Sequence, residues 1–428
     1  MRFDTLSDWL KWQETCHPSE IDLGLERVQL VYQRLASGPI AQKIITVAGT
    51  NGKGSSICFL ESILLNAGYS VGSYTSPHLF NYNERVRINN KHVSDQDLCE
   101  VFDKIDQARF DNSGVETSIT YFEFGTLAAL LLMSEQNLDF AILEVGLGGR
   151  LDAVNIIDAD IALITAIDID HESWLGSDKE TIAVEKAGIM RSGKPVVCSD
   201  VKAPESIALC ATKINANLYS LNSEFNYVVE QLSWQWHGPS LNHYSLPFLP
   251  LRGRHQYHNI AGVLMVLALL QADYPVSQNQ LRQGILTSSI HGRLENISGK
   301  INTLIDVAHN PHSTQALANY LKENSCSGDI RIVTGMMSDK NIRLILDNLI
   351  DLCDSWYVTD LPITRAIPAV DLIDIISALD AKAQCFSYTT AKQAYQQAID
   401  DSQDNDLIVI FGSFYLVQEF RQVLLEQD

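Results

Sequence analysis

An apolar, β-branched segment that leads through a glycine-rich loop into a helical segment most restricts how this chain can fold. Ile44 to Ala48 has the composition of a buried strand, and Gly49 to Ser55 is the loop that follows it. From Ser55 to Ala67 the apolar residues return with helical spacing, and Gly68 suits the end of a helix. The pattern predicts a strand, a loop and a helix in immediate succession, as in α/β proteins.

The same alternation continues along most of the 428 residues. It recurs in the first half as a helix at 124–136, strands at 140–145 and 161–167, a helix at 179–187 and a strand at 195–198. Such alternation predicts a mostly parallel sheet covered by helices, so we expect an α/β first domain. Between Leu218 and Leu251, alternating aromatic and polar residues instead predict a small antiparallel insert, and an apolar helix follows from about Asn259 to Gln271.

A polar stretch, His291 to Lys300, has the composition of a linker, and the alternation restarts after it. Strand-like segments follow at 301–307, 332–334, 356–359 and 407–411, with helical ones near 313–323, 341–351, 391–399 and 414–425. We therefore expect two domains, residues 1–295 and residues 296–428, of which the second is a smaller α/β domain. Two domains suit this length, because single cores stop growing beyond about 250–300 residues.

The charge balance excludes one class of function. Lysine and arginine total 31 against 52 for aspartate and glutamate, a net charge of −21, which argues against a protein that coats nucleic acid or an anionic membrane. A small anionic ligand stays compatible, provided that local amides and a few cations bind it. The eight cysteines form no C-x-x-C pair, so they predict reduced structural thiols rather than a zinc or redox centre.

The sequence also predicts a cytoplasmic location. Met1 to Trp12 mixes charged residues among its apolar ones and so lacks the continuous apolar core of a signal peptide. The longest nearly continuous apolar stretch, Ala261 to Leu270, is about half of the ~20 residues that a membrane-spanning helix needs. We therefore expect no transmembrane helix.

The loop Gly49-Thr50-Asn51-Gly52-Lys53-Gly54-Ser55 carries the strongest chemical signal. Its place between a strand and a helix allows backbone amides and the helix dipole to bind phosphate, and Lys53 adds a cation. The loop differs from the common G-x-x-x-x-G-K-[ST] form, because Val47 occupies the position of the first glycine and Gly54 separates the lysine from the hydroxyl residue. A plain glycine-rich turn is the alternative, but it leaves the lysine and the serine unexplained.

Polar residues follow two further predicted strands, at the sheet edge where open α/β sheets bind ligands. Glu144 ends one strand and could hold magnesium, which prefers oxygen ligands, or could be a solvated charge. Arg150 and Asp152, shortly after it, could form a structural ion pair. His171 follows the next strand, and Lys186 lies late in a helix, where the macrodipole already favours a cation. Spacing alone singles out neither of these two.

Seven segments, taken in order, closely resemble the folylpolyglutamate synthases, which belong with the Mur-type ATP-dependent amide ligases. They are 49–55, 75–79 (TSPHL), 120–123 (TYFE), 144–152, 170–171, 185–188 (EKAG) and 306–311 (DVAHNP). Residues 21–28 (IDLGLERV), with 120–123, resemble most the bacterial bifunctional enzymes that also act as dihydrofolate synthases. The resemblance implies a P-loop N-terminal domain like the Mur-ligase central domain and a smaller Rossmann-like C-terminal domain.

The resemblance also implies an ATP-dependent ligase that adds L-glutamate through an acyl-phosphate intermediate. The acceptor is 7,8-dihydropteroate in the synthase reaction, which forms dihydrofolate, and the γ-carboxylate of tetrahydrofolate in polyglutamylation. ATP and Mg²⁺ are implied as nucleotide and metal, and a monomer is implied by analogy. The chemistry is physically reasonable, since a carboxylate is a poor electrophile until phosphorylation gives it a leaving group.

The matching positions imply roles for individual residues. Those that would bind ATP are Gly52, Lys53, Gly54, Ser55, Asn259, Arg293 and Asp306. Those that would bind magnesium are Ser76, Glu144 and His171. Lys186 matches a lysine that the family carries as an N-carboxylated side chain, and it completes a catalytic group with Lys53, Glu144 and His171.

A further set of matching positions would bind the substrates. The positions that match the pterin site of the bifunctional enzymes are Glu26, Arg27, Val28, Thr120, Leu151 and Asp152. His309 and Ser413 fall where L-glutamate is expected to bind. His309 could instead cap the helix that follows Pro311.

Three other functions stay open at this point. A polyglutamylating enzyme without synthase activity would use the same site. A cell-wall Mur ligase usually has an additional N-terminal domain, whereas only about forty residues precede the phosphate-loop strand here. A nucleotide-binding protein without catalysis is the third, and the complete set of Lys53, Glu144, His171 and Lys186 argues against it.

Overall fold

The computed structural model describes residues 1–35, 38–239 and 241–425, which form two compact units. The first unit comprises residues 1–167, 178–250 and 257–288, and the second comprises 168–177, 251–256 and the chain from 289 onward. The expected division had its boundary after residue 295 and assigned both short segments to the first domain. Periodicity does not detect such segments, because each is too short to carry a pattern of its own.

The first unit is built around an eight-stranded sheet. Its strands are β1 (Lys43–Ala48), β2 (Val71–Tyr74), β3 (Val86–Ile88), β4 (Lys91–His92), β5 (Phe140–Glu144), β6 (Ile161–Ile164), β7 (Pro195–Cys198) and β8 (Asn217–Ser220). Their order is β4-β3-β2-β5-β1-β6-β7-β8; β3 and β4 pair antiparallel at one edge, and the other six strands are parallel. The prediction of a mostly parallel sheet is confirmed.

Helices connect these strands and cover the sheet. Up to residue 288 they are α1 (Leu6–Gln13), α2 (Glu26–Leu35), α3 (Lys53–Asn66), α4 (Asp95–Ala108), α5 (Tyr121–Ser134), α6 (Glu172–Leu175), α7 (Lys179–Ala187), α8 (Glu205–Ile214), α9 (His255–Leu270) and α10 (Gln278–Leu286). Of these, α6 belongs to the second unit. α3 contacts both the sheet and α10, and α5 contacts both the sheet and α4. Because both are covered on two sides, they are apolar nearly all round.

A small antiparallel sheet follows the main one in the first unit. It consists of β9 (Asn226–Val229), β10 (Trp234–His237) and β11 (Asn242–Leu246), with β10 in the centre. The indole N–H groups of Trp234 and Trp236 donate to the carbonyl oxygens of Pro247 (2.7 Å) and Ala261 (3.1 Å). The predicted antiparallel insert is confirmed, although its first residues belong to β8 of the main sheet.

The second unit is built around a six-stranded sheet. Its strands are β12 (Glu295–Ile297), β13 (Asn302–Ile305), β14 (Ile330–Thr334), β15 (Ser355–Thr359), β16 (Gln384–Tyr388) and β17 (Leu407–Phe411), in the order β12-β13-β17-β14-β15-β16. Its later helices are α11 (Pro311–Glu323), α12 (Ile342–Asp347), α13 (Ala369–Leu379), α14 (Ala391–Asp400) and α15 (Phe414–Leu425). Every strand pair except β12–β13 is parallel, as the predicted α/β class requires.

The polar stretch His291 to Lys300 is not a linker. It contains β12, which pairs antiparallel with β13 through Glu295 opposite Ile305 and Ile297 opposite Thr303. An edge strand pairs on one side only, so polar residues are tolerated there and obscure its pattern. The linker prediction was therefore wrong.

Every helix in the described part of the chain is too short or too polar to cross a bilayer.

Candidate active site

The phosphate loop joins the end of β1 to the start of α3. Thr165 Oγ1, after β6, donates to the carbonyl oxygen of Asn51 (2.8 Å). Lys53 Nζ donates to the carbonyl oxygens of Gly49 (3.0 Å) and Thr50 (3.2 Å). The loop is thus bound to the neighbouring strand end on one side and to its own lysine on the other, which fixes the loop where α3 begins.

Gly52 immediately precedes α3 with a φ of 95°, a left-handed conformation that glycine adopts without strain. A Cβ atom there would lie 2.3 Å from Asn259 Oδ1. Lys53, Gly54 and Ser55 form the first turn of α3, whose N–H groups have no partner within the helix and can bind an anion. The expected ATP-binding residues 52–55 are therefore adjacent to Asn259 within the first unit.

Glu144 is the last residue of β5, and only 5% of it is exposed. The N–H of Ser76 donates to Glu144 Oε2 over 3.0 Å. In the sheet register Glu144 lies opposite Val47, two residues before the phosphate loop. The alternative of a solvated strand-end charge is therefore wrong. The structure brings two of the three expected magnesium ligands together beside the phosphate loop.

The donor set fits a hard divalent cation. Ser76 offers a hydroxyl and Glu144 a carboxylate, and Mg²⁺ prefers oxygen ligands while it keeps several waters, so few protein ligands suffice. Among the described residues, no group of three or more His, Cys, Asp and Glu side chains is arranged so that it could hold a metal ion by itself. His171, the third expected ligand, lies in the second unit at the start of α6, with a φ of 53°.

Asp152 is buried and organises the turn that follows β5. Its Oδ2 accepts the N–H groups of Gly146 and Leu147 (2.9 Å each), and its Oδ1 accepts that of Val154 (3.0 Å). Burial raises the pKa of Asp152 to about 6, although these three N–H donors and the charge of Lys53 oppose the rise. Leu151, beside it, is partly buried.

The glycine-rich turn after β5 lies against the end of α7. Arg150 Nη2 pairs with Glu185 Oε1 (2.9 Å), and the Arg150 N–H donates to the Glu185 carbonyl oxygen (2.8 Å). The alternative of an ion pair between Arg150 and Asp152 is therefore wrong. Gly149 approaches so closely that a Cβ there would lie 3.1 Å from Lys186 Cα. The turn thus sits directly on Lys186, which is buried.

Two of the expected pterin contacts are linked by a buried carboxylate. Thr120 caps α5 by accepting the Glu123 N–H (3.2 Å), and Glu123 Oε2 accepts the Thr120 N–H (2.7 Å). Arg27 Nε donates to the same carboxylate oxygen (3.0 Å). On α2, Glu26 is exposed and Val28 is buried in the core. Arg27 and Thr120, far apart in sequence, are therefore neighbours through Glu123.

Arg293 and Asp306 are brought together in the second unit. Asp306 Oδ2 accepts the N–H of Leu294 (2.8 Å), and its Oδ1 accepts that of Ala308 (2.7 Å). Burial raises the pKa of Asp306, and the nearby Arg293 charge opposes the rise. The Arg293 guanidinium lies 5.2 Å from the centre of the Phe414 ring. Asp306 is thus fixed by two backbone N–H groups, and Arg293 lies near both its charge and the Phe414 ring.

His309 does not cap a helix. Asn310 caps α11 instead, because its Oδ1 accepts an N–H from the first turn over 2.9 Å. His309 Nε2 lies 3.7 Å from Asp170 Oδ2. Ser413 does have a structural role, since its Oγ accepts the N–H of Leu416 (3.0 Å) at the start of α15. The capping alternative for His309 is therefore wrong.

Asp170 is the centre of a buried cluster that the sequence did not indicate. Lys340 Nζ donates to Asp170 Oδ1 (2.6 Å), and Asn310 Nδ2 donates to its Oδ2 (2.9 Å). Burial alone would raise the pKa of Asp170, but the charges of His171, Lys340 and His309 outweigh it and lower the pKa. All these residues belong to the second unit. The cluster fixes the segment that carries His171.

A second unpredicted contact fixes α3. Arg87 Nε and Nη2, from β3, donate to Glu61 Oε2 (2.9 and 2.7 Å), and Ser73 Oγ donates to Glu61 Oε1 (3.1 Å). Glu61 is buried within the phosphate-loop helix. An acidic residue in an otherwise apolar helical segment was the available signal, because a buried carboxylate requires a partner.

Two protein-family models match this chain. The Mur ligase middle domain matches residues 47–267, about half of the chain, and the Mur ligase glutamate ligase domain matches residues 292–414. The chain belongs to the Mur ligase family. The predicted family and fold class are confirmed. The phosphate loop, Glu144 and Lys186 lie within the middle domain, and Arg293, Asp306 and His309 lie within the glutamate ligase domain.

Similar Mur ligases are named either dihydrofolate synthase/folylpolyglutamate synthase or folylpolyglutamate synthase. The dihydrofolate synthase/folylpolyglutamate synthase of Escherichia coli K12 is 40% identical over 422 residues, which cover 98% of this chain and 95% of that protein. A structure of E. coli FolC in complex with DHPP and ADP matches with a TM-score of 0.92 and 40% identity, covering 99% of this chain and 98% of that one. A bifunctional folylpolyglutamate synthase/dihydrofolate synthase with Mn, AMPPNP and L-glutamate bound matches with a TM-score of 0.88, 40% identity and the same coverage.

Proposed function

We propose that this Mur ligase is a bifunctional dihydrofolate synthase and folylpolyglutamate synthase. It adds L-glutamate to 7,8-dihydropteroate, and to the γ-carboxylate of tetrahydrofolate, with hydrolysis of ATP to ADP and phosphate. The names of its relatives support this activity. The structural observation that carries it is the contact of Ser76 with the buried Glu144 carboxylate, directly beside the phosphate loop.

The first step transfers the γ-phosphoryl group of ATP to an oxygen of the acceptor carboxylate and releases ADP. The first-turn N–H groups of α3, at Lys53 to Ser55, bind and orient the phosphates, and Lys53 neutralises charge on the transferred group. Ser76, Glu144 and His171 would hold magnesium, which would supply further charge neutralisation when bound. Asn259, Arg293 and Asp306 complete the ATP contacts in this proposal.

The second step forms the amide bond. The amine of L-glutamate attacks the acyl carbon, phosphate leaves, and the amine loses its protons to solvent or to a base. His309 and Ser413 are proposed to bind L-glutamate. The pterin is proposed to lie against Glu26, Arg27, Val28, Thr120, Leu151 and Asp152. Because Glu123 and Asp152 already hold these segments in place, the site needs little reorganisation when the pterin binds.

Lys186 is proposed to be carboxylated on its amine. Burial makes an ammonium group costly, and carboxylation converts it into an anion with two oxygens that can assist the metal site. Lys186→Ala should lose the activity, and added bicarbonate should not restore it. Intact mass of the wild-type protein in bicarbonate should show one added CO₂ that Lys186→Ala lacks. An identical mass in the two proteins, after correction for the substitution, would withdraw the carboxylation.

Glutamate-dependent phosphate release tests the function. Release should require Mg-ATP, L-glutamate and either dihydropteroate or a tetrahydrofolate, and Lys53→Ala should abolish it. Lys104→Ala is a suitable control, because Lys104 pairs with Glu135 on an exposed surface. Phosphate release that does not depend on dihydropteroate or a tetrahydrofolate contradicts the proposal. Release with tetrahydrofolate alone indicates a folylpolyglutamate synthase without synthase activity, and ATP binding without turnover indicates a nucleotide-binding protein.

The enzyme is further proposed to act as a monomer in the cytoplasm. All eight cysteines lie in described residues and none forms a disulfide, which suits a reducing compartment. Light scattering during size-exclusion chromatography should give the mass of one chain, 47.6 kDa. A stable mass of two chains would contradict the monomer.

A further inference from the structure

A buried arginine in the first unit has no carboxylate partner among the described residues. Arg85 is 9% exposed and immediately precedes β3. Its Nε donates to His78 Nδ1 (2.9 Å), and its guanidinium carbon lies 5.1 Å from the centre of the Tyr82 ring and 5.5 Å from that of Tyr121. The charge is therefore surrounded by neutral and aromatic groups.

The neighbouring carboxylate does not neutralise this charge. Glu84 Oε2 accepts the N–H of Leu79 (2.8 Å), and its Oε1 accepts those of Phe80 (2.9 Å) and Asn81 (2.7 Å). Glu84 is thus used to close the loop that carries Ser76. Its position next to Arg85 in sequence does not produce an ion pair.

Arg87 provides a comparison two residues further on. It is also largely buried, but its guanidinium donates twice to Glu61. Burying a cation without a counter-ion is unfavourable, so proteins normally pair it as Arg87 is paired. Arg85 has five N–H donors, and besides His78 its hydrogen-bond partner in the described part of the chain is the Tyr74 hydroxyl, which is also neutral. The Tyr82 hydroxyl beside it is buried without a hydrogen-bond partner in the described part of the structure. This cluster is therefore suited to an additional anionic ligand.

The position of the cluster indicates which anion. His78 lies two residues after Ser76, the proposed magnesium ligand, and Tyr121 directly follows Thr120, a proposed pterin contact. Tyr121 is partly exposed and offers an aromatic surface beside the guanidinium. A cation next to aromatic rings suits an aryl carboxylate, because the rings pack on the aryl group while the guanidinium binds both carboxylate oxygens.

We propose that Arg85 binds the carboxylate of the acceptor, the aryl carboxylate in dihydropteroate, and so determines specificity for an anionic acceptor. The inference rests on the proposed function, since it needs a pteroate as ligand. A purely structural role is the competing explanation, in which Arg85 only holds His78 and the Ser76 loop. The two explanations differ in their response to the charge of the ligand.

A pair of ligands separates them. Dihydropteroate and its carboxamide, which lacks the negative charge, are titrated against the protein by calorimetry in the presence of ADP. The wild-type protein should bind the carboxylate about 10- to 100-fold more tightly, the usual range for a hydrogen-bonded charge. Arg85→Gln should bind both ligands with nearly equal affinity. A structural role would instead weaken both ligands by the same factor and preserve the ratio.

Arg87→Lys is the matched control, because it alters a largely buried arginine two residues away, on β3, that already has a carboxylate partner. It should preserve the ratio even if both affinities fall. Arg85→Lys keeps a charge without the two-pronged geometry and should reduce the ratio. If Arg85→Gln does not fold, Arg85→Lys decides, and an unchanged ratio in it overturns the proposal. Equal binding of the two ligands by the wild-type protein overturns it without any variant.

The role of Arg85 can fail this test while the proposed function holds. If the wild-type protein releases phosphate with glutamate but Arg85→Gln keeps the full ratio of affinities for the carboxylate and the carboxamide, only the role of Arg85 is refuted. Wild-type protein that binds neither ligand and shows no glutamate-dependent release would refute the proposed function.

Discussion

The buried carboxylate of Asp152 should make the stability of the first unit fall as the pH rises. Burial raises its pKa from 3.8 to about 6 in the folded chain. A group with a raised folded pKa binds its proton more tightly when folded. Its stabilising contribution is therefore complete below about pH 4 and is lost as the pH rises through about 6. Asp152→Asn removes the titration and keeps the shape of the side chain.

The size of the effect follows from the two pKa values. The difference between 3.8 and about 6 corresponds to about 3 kcal/mol in the free energy of unfolding, of which about 2 kcal/mol falls between about pH 4.5 and about pH 7.5. Asparagine also places an amide N–H₂ near the N–H groups of Gly146 and Leu147, which costs about 1–3 kcal/mol. That cost does not depend on pH, so it shifts the whole curve without altering its slope.

Urea unfolding of both proteins at four pH values, from about 4.5 to about 7.5, measures this effect. The stability of the wild type minus that of the variant should fall by about 2 kcal/mol across the series. Asp406→Asn is a control of opposite sign: burial would raise the pKa of Asp406, but backbone donors and Arg331 lower it overall. The stabilisation by Asp406 is lost only on acidification. The free energy of unfolding of the wild type minus that of Asp406→Asn should therefore not fall as the pH rises. A flat or rising difference for Asp152→Asn would refute the reasoning.

Two further substitutions test the phosphate-loop region. Gly52→Ala should cost about 1–2 kcal/mol for the left-handed conformation and about 1–3 kcal/mol more for the contact with Asn259, and it should weaken ATP binding. Gly68→Ala has a similar φ of 92° with no atom within 4 Å, so equal losses of unfolding free energy in the two variants would contradict the steric argument. Glu61→Gln leaves Arg87 buried without its carboxylate and should lower the free energy of unfolding by about 3–5 kcal/mol in urea, whereas replacing both residues with Met should recover much of it. A loss below about 1 kcal/mol for Glu61→Gln would show that the ion pair is not needed.

Local pattern was sufficient for most central strands, although it missed β2, which lies between β3 and β5. Apolar β-branched runs predicted β1, β5, β6 and β17, and helical spacing predicted α3, because these features depend on neighbouring residues. The parallel class followed from the alternation of strands and helices, and the strand pairing confirms it. Edge strands were predicted less well. β16 was missed and β12 was taken for a linker, since an edge strand is covered on one side only and its sequence is more polar.

The features of the candidate site also divide into those that the sequence predicted and those that only the tertiary structure showed. The sequence alone determined the phosphate loop, the strand-end position of Glu144 and the family, because these are contiguous motifs whose residue types carry their chemistry. Only the tertiary structure showed that Ser76 donates to Glu144 and that Asp152 binds backbone amides rather than Arg150. It alone showed that no carboxylate in the described part of the chain pairs with Arg85, whereas Glu61 pairs with Arg87. Such pairings join segments distant in sequence, and side-chain packing decides them. Neither hydrophobic period nor residue spacing encodes them, so the chain reveals them only once it is folded.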